Sequence, residues 1–274
     1  MSAAQRRPVT IGAVSYHPRV VTIWEAFRGY FEEQGVATDY VLYSNYERLV
    51  EALIAGDVDI AWNTNTAFLV AEHRVGKGTR ILGMRDVDAG FATVIVAPKS
   101  APFEHVEELA GKRLALGSRD SGHAAILPVH YLGRAGLDVA AQCELVRFDT
   151  DLGKHGDTGD SELRVIRAVA QGAADAGALG DATWARLVAD GAPATGELAV
   201  CWRSPTYYHC NFTALPTFDD ELAQRWQAAL LAMDHNDPEL RNAMDLEGVK
   251  RWLPGDRSGY ADLEEAMRAQ GYLP

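Results

Sequence analysis

The segment Gly117-Ser118-Arg119-Asp120-Ser121-Gly122-His123 sets two serines, two glycines and a histidine directly before an apolar stretch of helical spacing. The first backbone N–H groups of a helix have no partner within it, and its dipole is positive there. Such a start is suited to an anion, held by the amides of Ser121, Gly122 and His123 with the Ser121 hydroxyl as an added donor. The same residues also suit an ordinary cap, with Asp120 or Ser121 accepting a backbone N–H. The two roles are compatible.

A second constellation, Asp149 to Asp157, follows a strand and contains Lys154, His155 and Asp157. It supplies a cation, a group that can donate or accept near neutral pH, and a carboxylate; solvated surface loops have a similar composition. Asp181 stands at the end of the next strand, where it is either a site residue or the N-cap of the following helix. Trp62, Asn63 and Thr64 end an earlier strand. His209, within Tyr207-Tyr208-His209-Cys210-Asn211-Phe212, and His17, within Ser15-Tyr16-His17-Pro18-Arg19, complete the set. Side chains of these types line pockets, or else pack a hinge. If Asp120 and Asp157 face the same site as His155 and the helix start, the ligand carries a hydrogen-bond-donating or cationic part besides its anionic one.

Other chemistries find less support. His17, His123, His155, His209 and Cys210 have no H-x-x-x-H, H-E-x-x-H or facial-triad spacing, so no metal and no cofactor is expected. No G-x-S-x-G elbow marks a hydrolase.

The elements that must position these residues follow an alternating pattern, expected of α/β folds with parallel sheets. Val9–Val14 reads as a strand; Val20, Ile23, Trp24, Phe27, Tyr30 and Phe31 recur at helical spacing before Gly35. A strand at Val41–Tyr43, a helix from Tyr46 to Gly56 and a strand over Val58–Asn63 follow. Phe91–Ala97 is a β-type run, and Pro98 to Pro102 reads as a crossing between lobes. Beyond it come a helix at Glu104–Ala110, a strand at Arg113–Leu116, an apolar helix to about Gly133, a strand at Leu145–Phe148, a helix at Leu163–Gln171 and a strand at Ala174–Leu179. Leu198–Trp202 reads as the return crossing, and the last 60 or so residues as mostly helical. The boundaries predicted are residues 8–97 and 205–274 for lobe one and 98–204 for lobe two.

Composition narrows the function. A formal charge of −12 over 274 residues argues against a nucleic-acid partner or an anionic membrane surface. No stretch reaches the roughly 20 apolar residues of a membrane-spanning helix, so no membrane insertion is expected. The start, MSAAQRRPVTIGAVSYHP, has no apolar leader segment, which reads as cytoplasmic, or periplasmic if a leader has been removed. Three cysteines without C-x-x-C spacing indicate neither a disulfide framework nor a zinc knuckle.

Four segments carry a family resemblance: Asn45-Tyr46-Glu47, Glu51 to Trp62 with its G-x-x-D-x-A pattern, Gly111-Lys112-Arg113-Leu114-Ala115, and Ser118 to Pro128. Through them the chain resembles, almost end to end, the substrate-binding proteins of phosphate, phosphite and phosphonate ABC transporters. The resemblance implies an α/β, two-lobed, class II periplasmic-binding-protein-like fold with a ligand cleft between lobes and hinge closure. It implies a small-molecule ligand, a transporter permease as partner, and Tyr46 among the ligand-binding residues. In those transporters a Ser-Thr-Ser-Gly turn at a helix start cradles the phosphonate oxygens. Here the aligned stretch is Arg119-Asp120-Ser121-Gly122, so Ser121 and Gly122 match while two hydroxyl positions are Arg119 and Asp120.

Two function classes stay open. One is binding of a small oxyanion or zwitterion. The other is a cytoplasmic enzyme on the same scaffold, lyase-like or metal-assisted, with His155 and Asp157 as its catalytic candidates.

Overall fold

In a computed structural model, residues 7–76 and 78–274 are described. The first six residues, over which the leader reading partly falls, lie outside the described residues. The described residues form two compact units, one from residues up to 89 with 208–259, the other from residues 90–207 with 260–274.

The first unit holds β1 (Val9–Val14), α1 (Arg19–Glu33), β2 (Thr38–Tyr43), α2 (Tyr46–Ala55), β3 (Ile60–Asn63), α3 (Asn65–Val75) and β4 (Arg80–Arg85). In α1 the residues at three- and four-residue spacing, Val20, Ile23, Trp24, Phe27 and Phe31, are the buried ones, as a core-facing stripe requires. Asn45 opens α2 by accepting the Arg48 N–H at 2.9 Å, and Gly56 closes it at φ 78°, a left-handed cap that glycine adopts without a steric penalty.

The second unit contains β5 (Thr93–Pro98), β6 (Arg113–Leu116), α4 (Leu127–Arg134), α5 (Val139–Gln142), β7 (Glu144–Arg147), α6 (Asp160–Ala170), β8 (Ala176–Gly180), α7 (Asp181–Ala189) and β9 (Leu198–Arg203). The chain then re-enters the first unit with β10 (Asn211–Ala214), α8 (Asp220–Leu231), α9 (Pro238–Glu247) and β11 (Trp252–Leu253), and ends in the second with α10 (Ala261–Ala269).

The strand orders are β11-β4-β10-β3-β1-β2 and β7-β6-β8-β5-β9. In the first sheet β1 pairs in parallel with β2 and β3, and β10 runs antiparallel between β3 and β4. In the second β6 is parallel to β7 and β8, and β5 is antiparallel to β8 and β9. Each sheet thus carries one reversed strand between its third and fourth parallel ones, and in the first sheet the edge strand β11 is reversed as well. The carboxyl ends of β1, β2, β3 and β4 share an edge with the start of β10, and those of β6, β7 and β8 share an edge in the other sheet.

Both sheets are covered on both faces, which explains strands of nearly continuous apolar residues. In the first unit Trp62, Phe212, Trp226 and Trp252 meet Phe27 and Phe31 on one face, with Trp62 and Phe212 centroids 4.5 Å apart and Phe31 stacked on Trp226 at 4.9 Å. Burial of each such side chain contributes about 1.5–3 kcal/mol. Val14, Leu49, Leu53, Ala61 and Ala71 pack the opposite face. In the second unit Ile95, Leu114 and Leu116 face one cluster, and Val94, Val96 and Val165 the other.

The unit boundaries differ from those the sequence suggests, for reasons of pairing. Phe91–Ala97, expected in lobe one, belongs to the second unit, because β5 hydrogen-bonds with β8 and β9. Pro98–Pro102 is a turn inside the second unit, tied by the Lys99 N–H to the Glu197 carbonyl at 2.9 Å. The Leu198–Trp202 run is an edge strand of the second sheet, and the chain changes unit at Tyr207/Tyr208 instead. The last fifteen residues, expected in lobe one, join the second unit: Tyr131 and Arg134 bond Asp262 at 2.9 Å each, and the Gln270 amide donates to the Ile126 carbonyl at 2.9 Å. The expected helix at Glu104–Ala110 is a single tight turn at Val106–Leu109. Among the described residues, no helix is long and apolar enough to cross a membrane.

Candidate functional site

At the carboxyl end of β6 the chain turns at Ser118, whose carbonyl accepts the Ser121 N–H at 2.9 Å. The Ser118 hydroxyl accepts the Asp151 N–H at 2.9 Å and donates to the Phe148 carbonyl at 3.3 Å, joining this turn to the end of β7. Ser121 then caps a helix, its Oγ accepting the Ala124 N–H at 3.2 Å. That helix opens with one π turn, Gly122–Ile126, in which the Ile126 N–H reaches back to the Ser121 carbonyl at 3.0 Å, and continues as α4. Of the three amides expected to converge, that of Ser121 is consumed by the turn. Those of Gly122 and His123 occupy the first two helical positions, where no carbonyl of the same helix can reach them.

His123 is buried beside this start, its Nδ1 3.4 Å from Ser121 Oγ and its Nε2 3.5 Å from Glu162 Oε2. Glu162, also buried, accepts the Gly180 N–H at 2.7 Å and the Thr183 hydroxyl at 2.9 Å. Burial opposes the charged form of both partners. The Glu162 carboxylate, with Asp157 and Asp151, nevertheless raises the pKa of His123, while His123 and these hydrogen bonds lower that of Glu162. Both shifts favour an imidazolium–carboxylate pair.

The loop after β7 packs on the same start. Arg119 bonds Asp149 through its backbone N–H and Nε, each at 2.9 Å. Asp120 accepts the Gly153 N–H at 2.6 Å and lies 4.0 Å from His155 Nε2. The expectation that Asp120 offers its charge to a ligand therefore meets a competing use, since its Oδ2 holds this loop. His155 has φ 53°, a left-handed conformation uncommon for a residue with a Cβ, and its ring is buried. Gly156, at φ 92°, comes so close that a Cβ would stand 2.9 Å from Ser121 Oγ and 3.1 Å from two His123 ring atoms. Asp157, partly buried, donates its N–H to the Lys154 carbonyl at 2.9 Å. Asp151 holds the Ser161 N–H at 2.9 Å and the Thr158 hydroxyl.

Asp181, at the end of β8, is the first residue of α7 and not its cap. Its carboxylate accepts the Ala92 N–H at 3.3 Å and Arg203 at 2.6 Å, which ties the helix start to β5 and β9.

The first unit places its candidates along the corresponding sheet edge. His17 is exposed, its Nδ1 accepting the Arg19 N–H at 3.2 Å. Tyr46 is buried at the start of α2. Trp62, expected to line a pocket, is a core residue packed among Phe212 and Trp252, with the Arg85 guanidinium 5.4 Å from its ring centroid. Asn63 donates to Thr213 Oγ1 at 3.1 Å and Thr64 caps α3 through the Ala67 N–H at 3.3 Å, both fully buried.

His209 is buried with Nδ1 3.0 Å from Cys210 Sγ and 3.6 Å from Asp88 Oδ1. Asp88, His209 and Cys210 could each turn a donor atom to one metal ion, yet Arg85 already holds Asp88 through Nε at 2.7 Å and Nη2 at 2.8 Å. This cluster is organised around a guanidinium. Burial raises the Asp88 pKa, but attraction and hydrogen bonds from Arg85, then His209, outweigh it and bring the pKa to about 2.

The sequence reading missed Glu162. Its signal was the spacing Glu162, Val165, Ile166, Val169: a carboxylate on the apolar stripe of α6, where an ionised group needs a dedicated partner.

Sequence comparison with curated proteins finds no relative. Among solved structures, PhnD1 from Prochlorococcus marinus (MIT 9301), in complex with methylphosphonate, matches with a TM-score of 0.75 and 20% identity over 97% of this chain and 98% of its own. XAC2383 from Xanthomonas citri, bound to ATP, matches with a TM-score of 0.74 and 18% identity over 97% and 99%. The periplasmic aliphatic sulphonate binding protein SsuA from Escherichia coli matches with a TM-score of 0.64 and 16% identity over 98% and 94%. At these identities the likeness establishes the fold, α/β and of the class II periplasmic-binding-protein type. Residues 11–260 match the family model described as ABC transporter, phosphonate, periplasmic substrate-binding protein. The chain therefore belongs to the family of phosphonate-binding periplasmic proteins of ABC transporters.

Proposed function

We propose that the protein binds a small phosphonate-type oxyanion at the helix start formed by Ser121, Gly122 and His123, and delivers it to a transporter permease. The observation that carries this is the Gly122–His123 start itself: a helix N-terminus capped by Ser121, with a buried, titratable His123–Glu162 pair beside it. Oxyanions gain both hydrogen bonds and a favourable dipole at such a place. The family's periplasmic setting and the methylphosphonate of PhnD1 support the same ligand class. On this proposal the protein works in the periplasm, and Asp120 and Asp157 lie close enough to the start to favour ligands whose far end donates hydrogen bonds.

Isothermal titration with methylphosphonate, inorganic phosphate and methanesulfonate tests the reading. Binding of methylphosphonate, reduced at least tenfold in Ser121→Ala, is expected. Unchanged affinity in a folded Ser121→Ala protein would place the ligand elsewhere.

A further inference from the structure

We infer that His123 takes up a proton together with the anion, and that this proton sets the direction in which the Ser121 hydroxyl points. The inference rests on the anion site proposed above and adds to it a second, titratable component.

The argument is one of counting donors. A serine hydroxyl has one hydrogen and two lone pairs. On Ser121 one lone pair is taken by the Ala124 N–H at 3.2 Å, and His123 Nδ1 lies 3.4 Å away. The other ring nitrogen, Nε2, faces Glu162, a carboxylate fixed by Gly180 and Thr183. A neutral ring therefore keeps its proton on Nε2, leaving Nδ1 an acceptor that draws the Ser121 hydrogen to itself. A charged ring carries hydrogen on both nitrogens. Nδ1–H then occupies the second lone pair of Ser121, and the hydroxyl hydrogen is released towards an outside acceptor. Protonation thus does two things for an oxyanion: it adds a positive charge and it frees a donor.

The surroundings favour this form. Glu162 from α6 and Asp151 and Asp157 from the loop all act to charge the ring against the cost of burial. The Gly156 backbone lies over the ring edge, and Phe91 sits 5.6 Å from it between centroids. The Thr93 hydroxyl donates to the His123 carbonyl at 2.7 Å and contacts the Tyr207 hydroxyl, whose own ionisation burial pushes well above the ordinary range. Because the His123 pKa of the ligand-free protein is raised, the coupled affinity is fully present below that raised value and falls, by up to about tenfold per pH unit, as pH climbs above it.

The test is titration calorimetry of methylphosphonate with wild type and His123→Gln, each over a pH series in two buffers of different ionisation enthalpy. The ligand's own ionisation is common to both proteins, so the difference in proton uptake reports the ring. Wild type should take up as much as about one proton more per site than the variant at alkaline pH, and its affinity should fall with pH more steeply. Glu162→Gln should move that fall to lower pH, and it decides the matter if His123→Gln does not fold. Equal proton uptake and parallel pH profiles in proteins that still bind would overturn the inference and leave the anion site standing. No binding of methylphosphonate by wild type at any pH would remove the site itself, and the inference with it.

Discussion

Arg85 and Asp88, three residues apart, are joined by two parallel hydrogen bonds, Nε to Oδ2 at 2.7 Å and Nη2 to Oδ1 at 2.8 Å, with the carboxylate fully buried. Arg85 also donates to the Glu247 carbonyl at 2.7 Å and lies over Trp62, so one guanidinium links β4, α9 and the aromatic core. Removing one partner of a buried pair leaves an uncompensated charge. Asp88→Asn should cost about 3–5 kcal/mol in chemical denaturation, while the paired change Arg85→Met with Asp88→Leu should cost less than either single change.

The same pair fixes part of the acid limb of stability. Its pKa of about 2 lies below the ordinary aspartate value, so the contribution is present above about pH 4 and disappears as pH falls towards about 2. It amounts to ~2 kcal/mol. Urea midpoints measured across that window should fall faster for wild type than for the doubly substituted protein.

Gly156→Val should abolish anion binding with a smaller effect on the fold. Its Cβ would enter the space of Ser121 Oγ and the His123 ring, and φ 92° strains any residue with a side chain. Calorimetry and thermal melts on one preparation distinguish the two effects; intact binding in a folded variant would mean that the loop moves away from Ser121 in solution.

Trp62→Ala serves as the contrast. Because Trp62 packs against Phe212 and Trp252, its loss should destabilise by about 3–5 kcal/mol, and the material that remains folded at low temperature should bind anion with near wild-type affinity.

The sequence revealed much of this because strand ends are local information. Periodicity located β1 and α1, Gly56 closed α2, and the residues after β3, β6, β7 and β8 fall at the sheet edges where polar strand ends were expected. What it could not convey is pairing between distant segments. Phe91–Ala97 reads as a strand on its own, but its membership of the second sheet depends on β8 and β9, both 80 or more residues later. Trp62 alternates with Asn63 along β3, and only the partners on each face decide that the indole goes into the core. Asp120 has no nearby cue for its bond to the Gly153 amide, and Glu162 lies on the apolar stripe of a helix, away from the polar loops in which site residues usually fall.

The C-terminal helix has a consequence for how the protein is made. Tyr131, Arg134 and Ile126 find their partners in residues 262–270, and the Tyr272 hydroxyl donates to the Arg119 carbonyl at 2.6 Å, next to the turn at Ser121. During synthesis, at about 5–20 residues per second, the second unit waits for some seconds after Tyr207 with this side uncovered. Without residues 260–274 both sheets keep all their strands, while the turn from Arg119 to Ser121 loses the Tyr272 hydroxyl.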